Sequence, residues 1–303
     1  MLSESPLVRH YQAALEKLQS VPARAIIINC STREVTTLAL MSALRYAEMP
    51  VLVIDCMSTD GSLGWFQSLQ AKHRFDLISA PLRPHGESLD AILQAARDEM
   101  LLLIDSDLEI RDASIVADMR AGATGSEVYG AGLLHRDLAP SLVAPDGARG
   151  RYADRMWIPL TLLKTAPVVH ALNHGATFMH SRDYLEFPWS LFLSRLLFVR
   201  HRLPLLKGSG LNLWAAARER LHGENIAFRE YDTGARVHAA LVREGYTFHD
   251  LGELDFSYKV RHYHGVTRAT LVDGKDNATD PASIARDVRG RLADIYGVSP
   301  DGP

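Results

Sequence analysis

Four short apolar runs in the first 107 residues constrain this chain more than any other feature. Residues 25–30, 51–55, 76–79 and 100–104 are strand-length and rich in Ile, Val and Leu. Amphipathic helical patterns separate them, at 31–48, 63–72 and 88–98, and another leads in over 5–20. Runs without polar alternation suit strands covered on both faces, as in a parallel sheet. Strand–helix alternation predicts βαβ units, and with them an open α/β fold. In such sheets ligands bind beyond the carboxyl ends of the strands. The polar clusters fall there: Asn29-Cys30-Ser31, Asp55 to Asp60, and Asp105-Ser106-Asp107.

The second half is less regular. A strand is expected at 128–134, a loop at 139–152, and two short strands within 168–180 around Asn173-His174-Gly175. Helical patterns follow at 189–203, 232–244 and 282–295, with a Gly-Ser-Gly turn at 208–210. The organisation expected is an N-terminal helix (1–23), a ligand-binding half (24–135), a second half of the same domain (136–270) and a C-terminal tail with a short helix (271–303).

Composition excludes some functions. Lys and Arg number 33 against 36 Asp and Glu, a net charge of −3, which argues against nucleic acid as a partner. Two cysteines cannot staple 303 residues and fit a reducing compartment. The first 20 residues lack the apolar core of a signal peptide, and no run of about 18 apolar residues is present. A cytoplasmic protein is expected. Residues 189–206 mix Leu and Phe with Arg195, Arg200 and Arg202, which fits either a peripheral contact at the inner face of a membrane or a core helix with snorkelling arginines.

Asp105 and Asp107 lie two apart at a strand end, so both point one way. Paired carboxylates of this kind suit Mg²⁺ or Mn²⁺, which complete their shell with water and substrate phosphate. A solvated acidic turn is the plainer alternative. The first strand is followed by Asn29-Cys30-Ser31-Thr32-Arg33, without the glycines of a dinucleotide-binding loop. No Gly-x-x-x-x-Gly-Lys phosphate loop is present, and no His-Glu-x-x-His or Cys-x-x-Cys zinc pattern. His170, His174 and His180 fit core or acceptor-pocket roles equally.

Taken together, residues 26–31, the segment Val53-Ile54-Asp55-Cys56-Met57-Ser58-Thr59-Asp60-Gly61-Ser62 and the run Leu103-Ile104-Asp105-Ser106-Asp107 resemble the nucleotide-sugar-binding half of family 2 glycosyltransferases. Residues 172–184, Tyr231-Asp232-Thr233-Gly234 and His262-Tyr263-His264-Gly265-Val266-Thr267 resemble that family's later segments, so the resemblance covers about residues 24 to 268. It implies a GT-A (Rossmann-like) fold: a mixed, mostly parallel central sheet flanked by helices. It implies sugar transfer from a UDP- or GDP-sugar to a glycan or lipid-linked acceptor, with inversion, in polysaccharide or glycolipid synthesis.

The resemblance also assigns roles. Asn29 and Ser31 would line the base or ribose pocket, with helix capping as the alternative. Asp55 would lie near the nucleoside. Asp105, with Ser106 beside it, would touch ribose or reach the metal, and Asp107 would ligate it. Arg83 would add positive charge, unless it is a solvated surface arginine. His262, or less readily His264, would complete the metal shell. Asp232 would be the general base, with an N-cap as the alternative, and Glu230 a neighbouring surface carboxylate. The chain departs from the family at Cys56, where many relatives carry Asp or Asn, and this leaves the base open. A non-catalytic nucleotide-sugar-binding module and a sugar-phosphate nucleotidylyltransferase-like enzyme are the rival readings. The latter lacks its glycine- and arginine-rich first loop here, and the former would leave the donor unhydrolysed.

Overall fold

The computed structural model describes residues 5–136, 142–144, 149–184, 227–263 and 281–299. After helix α1 (Pro6–Leu15), strands β1 (Ala23–Asn29), β2 (Val51–Asp55), β3 (Asp76–Ser79) and β4 (Met100–Ile104) alternate with helices α2 (Arg33–Tyr46), α3 (Ser62–Gln70) and α4 (His85–Ala95). The chain continues through β5 (Leu108–Ile110), α5 (Ser114–Gly122), β6 (Val128–His135), β7 (Leu142–Val143), β8 (Arg149–Tyr152), β9 (Arg155–Lys164) and α6 (Thr165–Asn173). It ends with β10 (Ser181–Tyr184), β11 (Phe228–Tyr231), α7 (Ala235–Arg243), β12 (Thr247–Asp250), α8 (Glu253–Lys259), β13 (Val260–His262) and α9 (Pro281–Tyr296).

The central sheet runs β12-β6-β9-β4-β1-β2-β3. Only β9 opposes the others: it pairs antiparallel with both β4 and β6, and the remaining neighbours are parallel. This is the mixed, mostly parallel sheet flanked by helices that the sequence leads one to expect. Both faces are covered. Ala25 and Ile27 pack with Leu38, Phe66, Met119 and Leu292 on one side. Ile26 packs with Tyr11, Leu89, Val168 and Leu241 on the other. A strand sandwiched this way needs apolar residues at every position, hence the unbroken runs. A smaller sheet runs β10-β11-β8-β7, and among the described residues β13 pairs with β5 alone.

Several expectations are corrected. Residues 168–180 do not form two strands. Val168, Ala171 and Leu172 are the buried stripe of α6, and Pro167 is tolerated in that helix's first turn. The 139–152 segment holds β7 and β8 in its described parts. Asp232 does not begin a helix, because α7 starts at Ala235 behind Gly234, whose φ of +81° glycine accommodates. The central strand β9 had no counterpart in the sequence reading. Among the described residues, no helix is long and apolar enough to cross a membrane. The segment 189–206, the turn at 208–210 and His264 lie outside the described residues.

Candidate active site

The site is built at the carboxyl end of β4. Ile104 is the last residue of that strand, flanked by Ile27 of β1 and Leu160 of β9. The chain then turns sharply: the Asp105 N–H donates to Pro159 O (2.9 Å), and the Leu108 N–H donates back to Asp105 O (3.2 Å). Ser106 is buried inside this turn. The turn leads into β5, whose partner β13 sets His262 opposite Leu108. The Tyr263 N–H donates to Asp107 O at 2.8 Å, and His262 Nε2 lies 3.0 Å from Asp107 Oδ1. Trp157 of β9 meets the His262 imidazole edge-on, with ring centroids 5.3 Å apart, and so fixes its plane.

One ligand atom from each of Asp105, Asp107 and His262 falls within 4.8 Å of the others. Burial pushes the Asp105 carboxyl up; His85 pulls it down, Asp107 adds to the rise, and His262 opposes it. Two carboxylates crowded in a poorly solvated turn repel one another, and a cation between them removes that cost. Two hard oxygen donors with one imidazole suit Mn²⁺ or Mg²⁺. The donor set therefore fits a divalent metal.

The ends of β1 and β2 are tied together next to this turn. Buried Asn29 donates through Nδ2 to Asp55 Oδ1 (2.7 Å) and Ser58 Oγ (2.8 Å). Its Oδ1 accepts from the Thr32 N–H and from the Thr32 and Thr36 hydroxyls. Both amide hydrogens of Asn29 are thus engaged by Asp55 and Ser58, so it braces the two loops. Asp55 is buried and also accepts from the Ser58 N–H. Ser31, at φ +52°, accepts from the Thr59 N–H and lies on the more open side of the knot. Cys56 sits in the core with Tyr11. Burial, reinforced by Cys30 and Asp55, pushes its thiol up to about 12, so it is an apolar filler there.

Arg83 is exposed on the connection into α4, two residues before His85. His85 is the first residue of that helix and contributes to the potential at Asp105, which places the helix start beside the Asp105–Asp107 turn. Gly86 follows because nothing larger fits: a Cβ there would come 2.5 Å from Phe178 O. Asp90 holds the same segment through the Phe178 N–H (2.7 Å) and the Thr177 hydroxyl. Phe178 O in turn accepts from the Gly234 N–H (3.3 Å). One segment therefore joins the start of α4 to the turn that carries Asp232.

Asp232 Oδ1 accepts from the Thr233 N–H at 2.8 Å, and Oδ2 lies 3.5 Å from Arg155 Nε. The carboxylate is about half exposed and does not cap α7. Glu230 is not a surface carboxylate. It is 5% exposed, and its two oxygens bind His180 Nε2 and Arg182 Nε, each at 2.5 Å. Burial raises its pKa, but the Arg182 hydrogen bond and charge, with His180, bring it below the usual glutamate range. A lowered carboxylate pKa contributes stability that is full above the unfolded value and lost as pH falls through the folded one. Glu230→Gln should therefore lower Tm by a few degrees at pH 7, and less at acid pH, as read by thermal unfolding. An unchanged Tm would mean that the pair contributes nothing.

Sequence reasoning did not find His85, Trp157 or the Glu230–His180–Arg182 cluster. For Trp157 a signal existed, since Met156, Ile158 and Leu160 alternate with less buried residues over the first half of β9.

No family model matches the chain, and no curated protein matches it. Solved structures do. The chain is similar to the mannosyltransferase PcManGT from Pyrobaculum calidifontis, solved with GDP-Man and Mn²⁺, at 16% identity over 54% of this chain and 52% of that one, TM-score 0.40. It is similar to S. aureus TarS with UDP-GlcNAc at 18% identity over 52% and 48%, TM-score 0.36. It is similar to glucosyl-3-phosphoglycerate synthase from Mycobacterium tuberculosis at 15% identity over 55% and 64%, TM-score 0.34. The chain spans about half to two thirds of the length of these proteins.

Proposed function

We propose that this chain is a metal-dependent glycosyltransferase that moves a sugar from a nucleoside diphosphate sugar to an acceptor hydroxyl with inversion, in polysaccharide or glycolipid synthesis. The observation that carries this reading is the clustering of Asp105, Asp107 and His262 at the carboxyl end of a central parallel strand. That is where an open α/β sheet receives its ligand. Asp105, Asp107 and His262 would hold a divalent cation there, and such a cation would supply positive charge against the nucleoside diphosphate leaving group.

The chain's own residues divide the remaining work. Ser31 and Asp55 border the nucleoside, while Asn29 holds their two loops in register from behind. Arg83 and the first turn of α4 face the phosphates, where a helix N-terminus favours negative charge. Asp232 takes the proton from the acceptor hydroxyl as its oxygen attacks the anomeric carbon, on the face opposite the leaving group. Arg155, 3.5 Å away, lies beside that carboxylate. Residues 24–135 serve the donor and 136–270 the acceptor, a glycan or a lipid-linked sugar, with the protein in the cytoplasm and in contact with the membrane surface.

The test is calorimetric titration of UDP and GDP into the full chain, with Mn²⁺ or Mg²⁺ and then with EDTA. Affinity for one of the two should fall at least about tenfold when the metal is removed, which corresponds to about 1.4 kcal/mol. Equal affinity with and without EDTA would overturn the reading.

A further inference from the structure

We infer that the C-terminal helix α9 is a clasp that sets the two metal-ligand strands against each other, with Arg291 and Asp287 as its positioning residues. This inference rests on the metal reading above.

The two strands need such a device. β5 follows Asp107, and β13 ends at His262. Each has three residues, among the described residues they pair only with each other, and more than 150 positions separate Asp107 from His262. A two-stranded ribbon is at best marginally stable alone. Its geometry nonetheless decides where an imidazole sits relative to a carboxylate.

α9 grips both strands from one side. Arg291 forms a two-pronged pair with Glu109 of β5, Nε to Oε2 at 2.6 Å and Nη2 to Oε1 at 2.7 Å, and the Tyr296 hydroxyl donates to Oε1 at 3.1 Å. Glu109 is fully buried, two residues beyond Asp107. One helical turn before Arg291, Asp287 accepts from the Tyr263 hydroxyl at 2.8 Å and pairs with Arg261 at 3.1 Å. Tyr263 is the residue after His262, and Arg261 stands opposite Glu109 in the ladder. Positions 287 and 291 are four apart and share a helix face, so one rigid element holds the neighbours of both ligands.

The clasp has its own anchor. Val288 and Leu292 are buried in the core, and Arg289 forms a two-pronged pair with Glu34 in the first turn of α2. α2 begins at Arg33, whose N–H binds Asp60 of the loop after β2. The helix thereby fixes the metal turn to the framework that carries the β1 and β2 loops. Groups that orient ligands from behind commonly govern metal affinity as strongly as some ligands do.

The experiment is Mn²⁺ titration of the full chain, followed by electron paramagnetic resonance or calorimetry, with amide hydrogen exchange measured on the metal-free protein. Arg291→Met should weaken Mn²⁺ binding about 10–100-fold, and Arg291→Lys, which keeps the charge and loses the fork, should fall between it and wild type. Exchange at the Tyr263 amide, which is bonded to Asp107 O, should quicken, while the Ile27 and Leu102 amides stay protected. Arg291→Met leaves a buried charge without its partner, so the double variant Glu109→Gln/Arg291→Met, which removes both charges, decides the matter if the single one fails to fold. Folded variants with a lower Tm but wild-type Mn²⁺ affinity would overturn the clasp and leave the metal reading standing. Wild-type protein that binds no Mn²⁺ would overturn the metal reading itself.

Discussion

Asp107→Ala abolishes the gain in nucleoside diphosphate affinity that Mn²⁺ brings, while the fold survives. Asp107 is buried at the head of β5, and its Oδ1 lies 3.0 Å from His262 Nε2. The backbone contact that locks the ribbon, Tyr263 N–H to Asp107 O, does not involve the side chain and persists in the alanine variant. What is lost is one negative charge facing the cation. At about 4 Å and an effective dielectric of about 20, a single pair of unit charges is worth about 4 kcal/mol. A loss of that size weakens metal binding about a thousandfold. Titrations of UDP or GDP into Asp107→Ala should then look alike with Mn²⁺ and with EDTA. Thermal unfolding of the metal-free variant provides the control, and its Tm should not fall, because a crowded carboxylate has been removed. A variant that retains metal-dependent binding would take Asp107 out of the site and leave Asp105 and His262 too few to hold a cation.

The parallel half of the fold was legible because its signal is local. Ile26 and Ile27 face opposite cores, so β1 reads as an unbroken apolar run. Asp105 and Asp107 were legible for a similar reason, since they end such a run. β9 was harder to see. Its partners β4 and β6 lie far back in the sequence, and Pro159 interrupts its pattern near the point where the β6 ladder shifts register, between Gly132 and Leu134. β5 and β13 were not visible at all. Three residues carry no periodicity, and their pairing joins positions more than 150 apart in the chain.

The polar residues at strand ends show a different limit. Asn29, Ser31, Asp55 and Asp60 look alike in sequence, as residues for turns or for ligands. The structure gives them different partners. Asn29 spends both amide hydrogens on Asp55 and Ser58, whereas Ser31 keeps a more open position. Glu230 and Asp232 likewise appear as two similar acids around Tyr231. Alternation along β11 buries Glu230 against Arg182 and His180 and leaves Asp232 beyond the strand, half exposed beside Arg155. No property of the residues themselves sets those fates apart; burial does.

Asp232→Asn lowers the rate of sugar transfer about 10²–10⁴-fold, the usual worth of a general base, and leaves nucleoside diphosphate affinity unchanged. The two readouts separate because the proposed function puts the donor's phosphates with Asp105, Asp107 and His262, and the acceptor with Asp232. Asparagine keeps the side chain's size and its acceptor oxygen, so the bond from the Thr233 N–H survives. It loses the charge opposite Arg155, which is partly exposed on the Asp232 side and therefore contributes little to stability. Folding is spared, and the missing function is proton removal. Slow hydrolysis of the donor in the absence of any acceptor gives a measurement before the acceptor is known, because water needs the same help as a sugar hydroxyl. The variant should release nucleoside diphosphate more slowly than wild type at equal donor saturation. It should also recover part of the rate as pH rises, when solvent can take the proton. Near wild-type hydrolysis and transfer by Asp232→Asn would remove it from the mechanism. The carboxylate near Arg155 would then be a structural pair, and the acceptor's proton would need another destination.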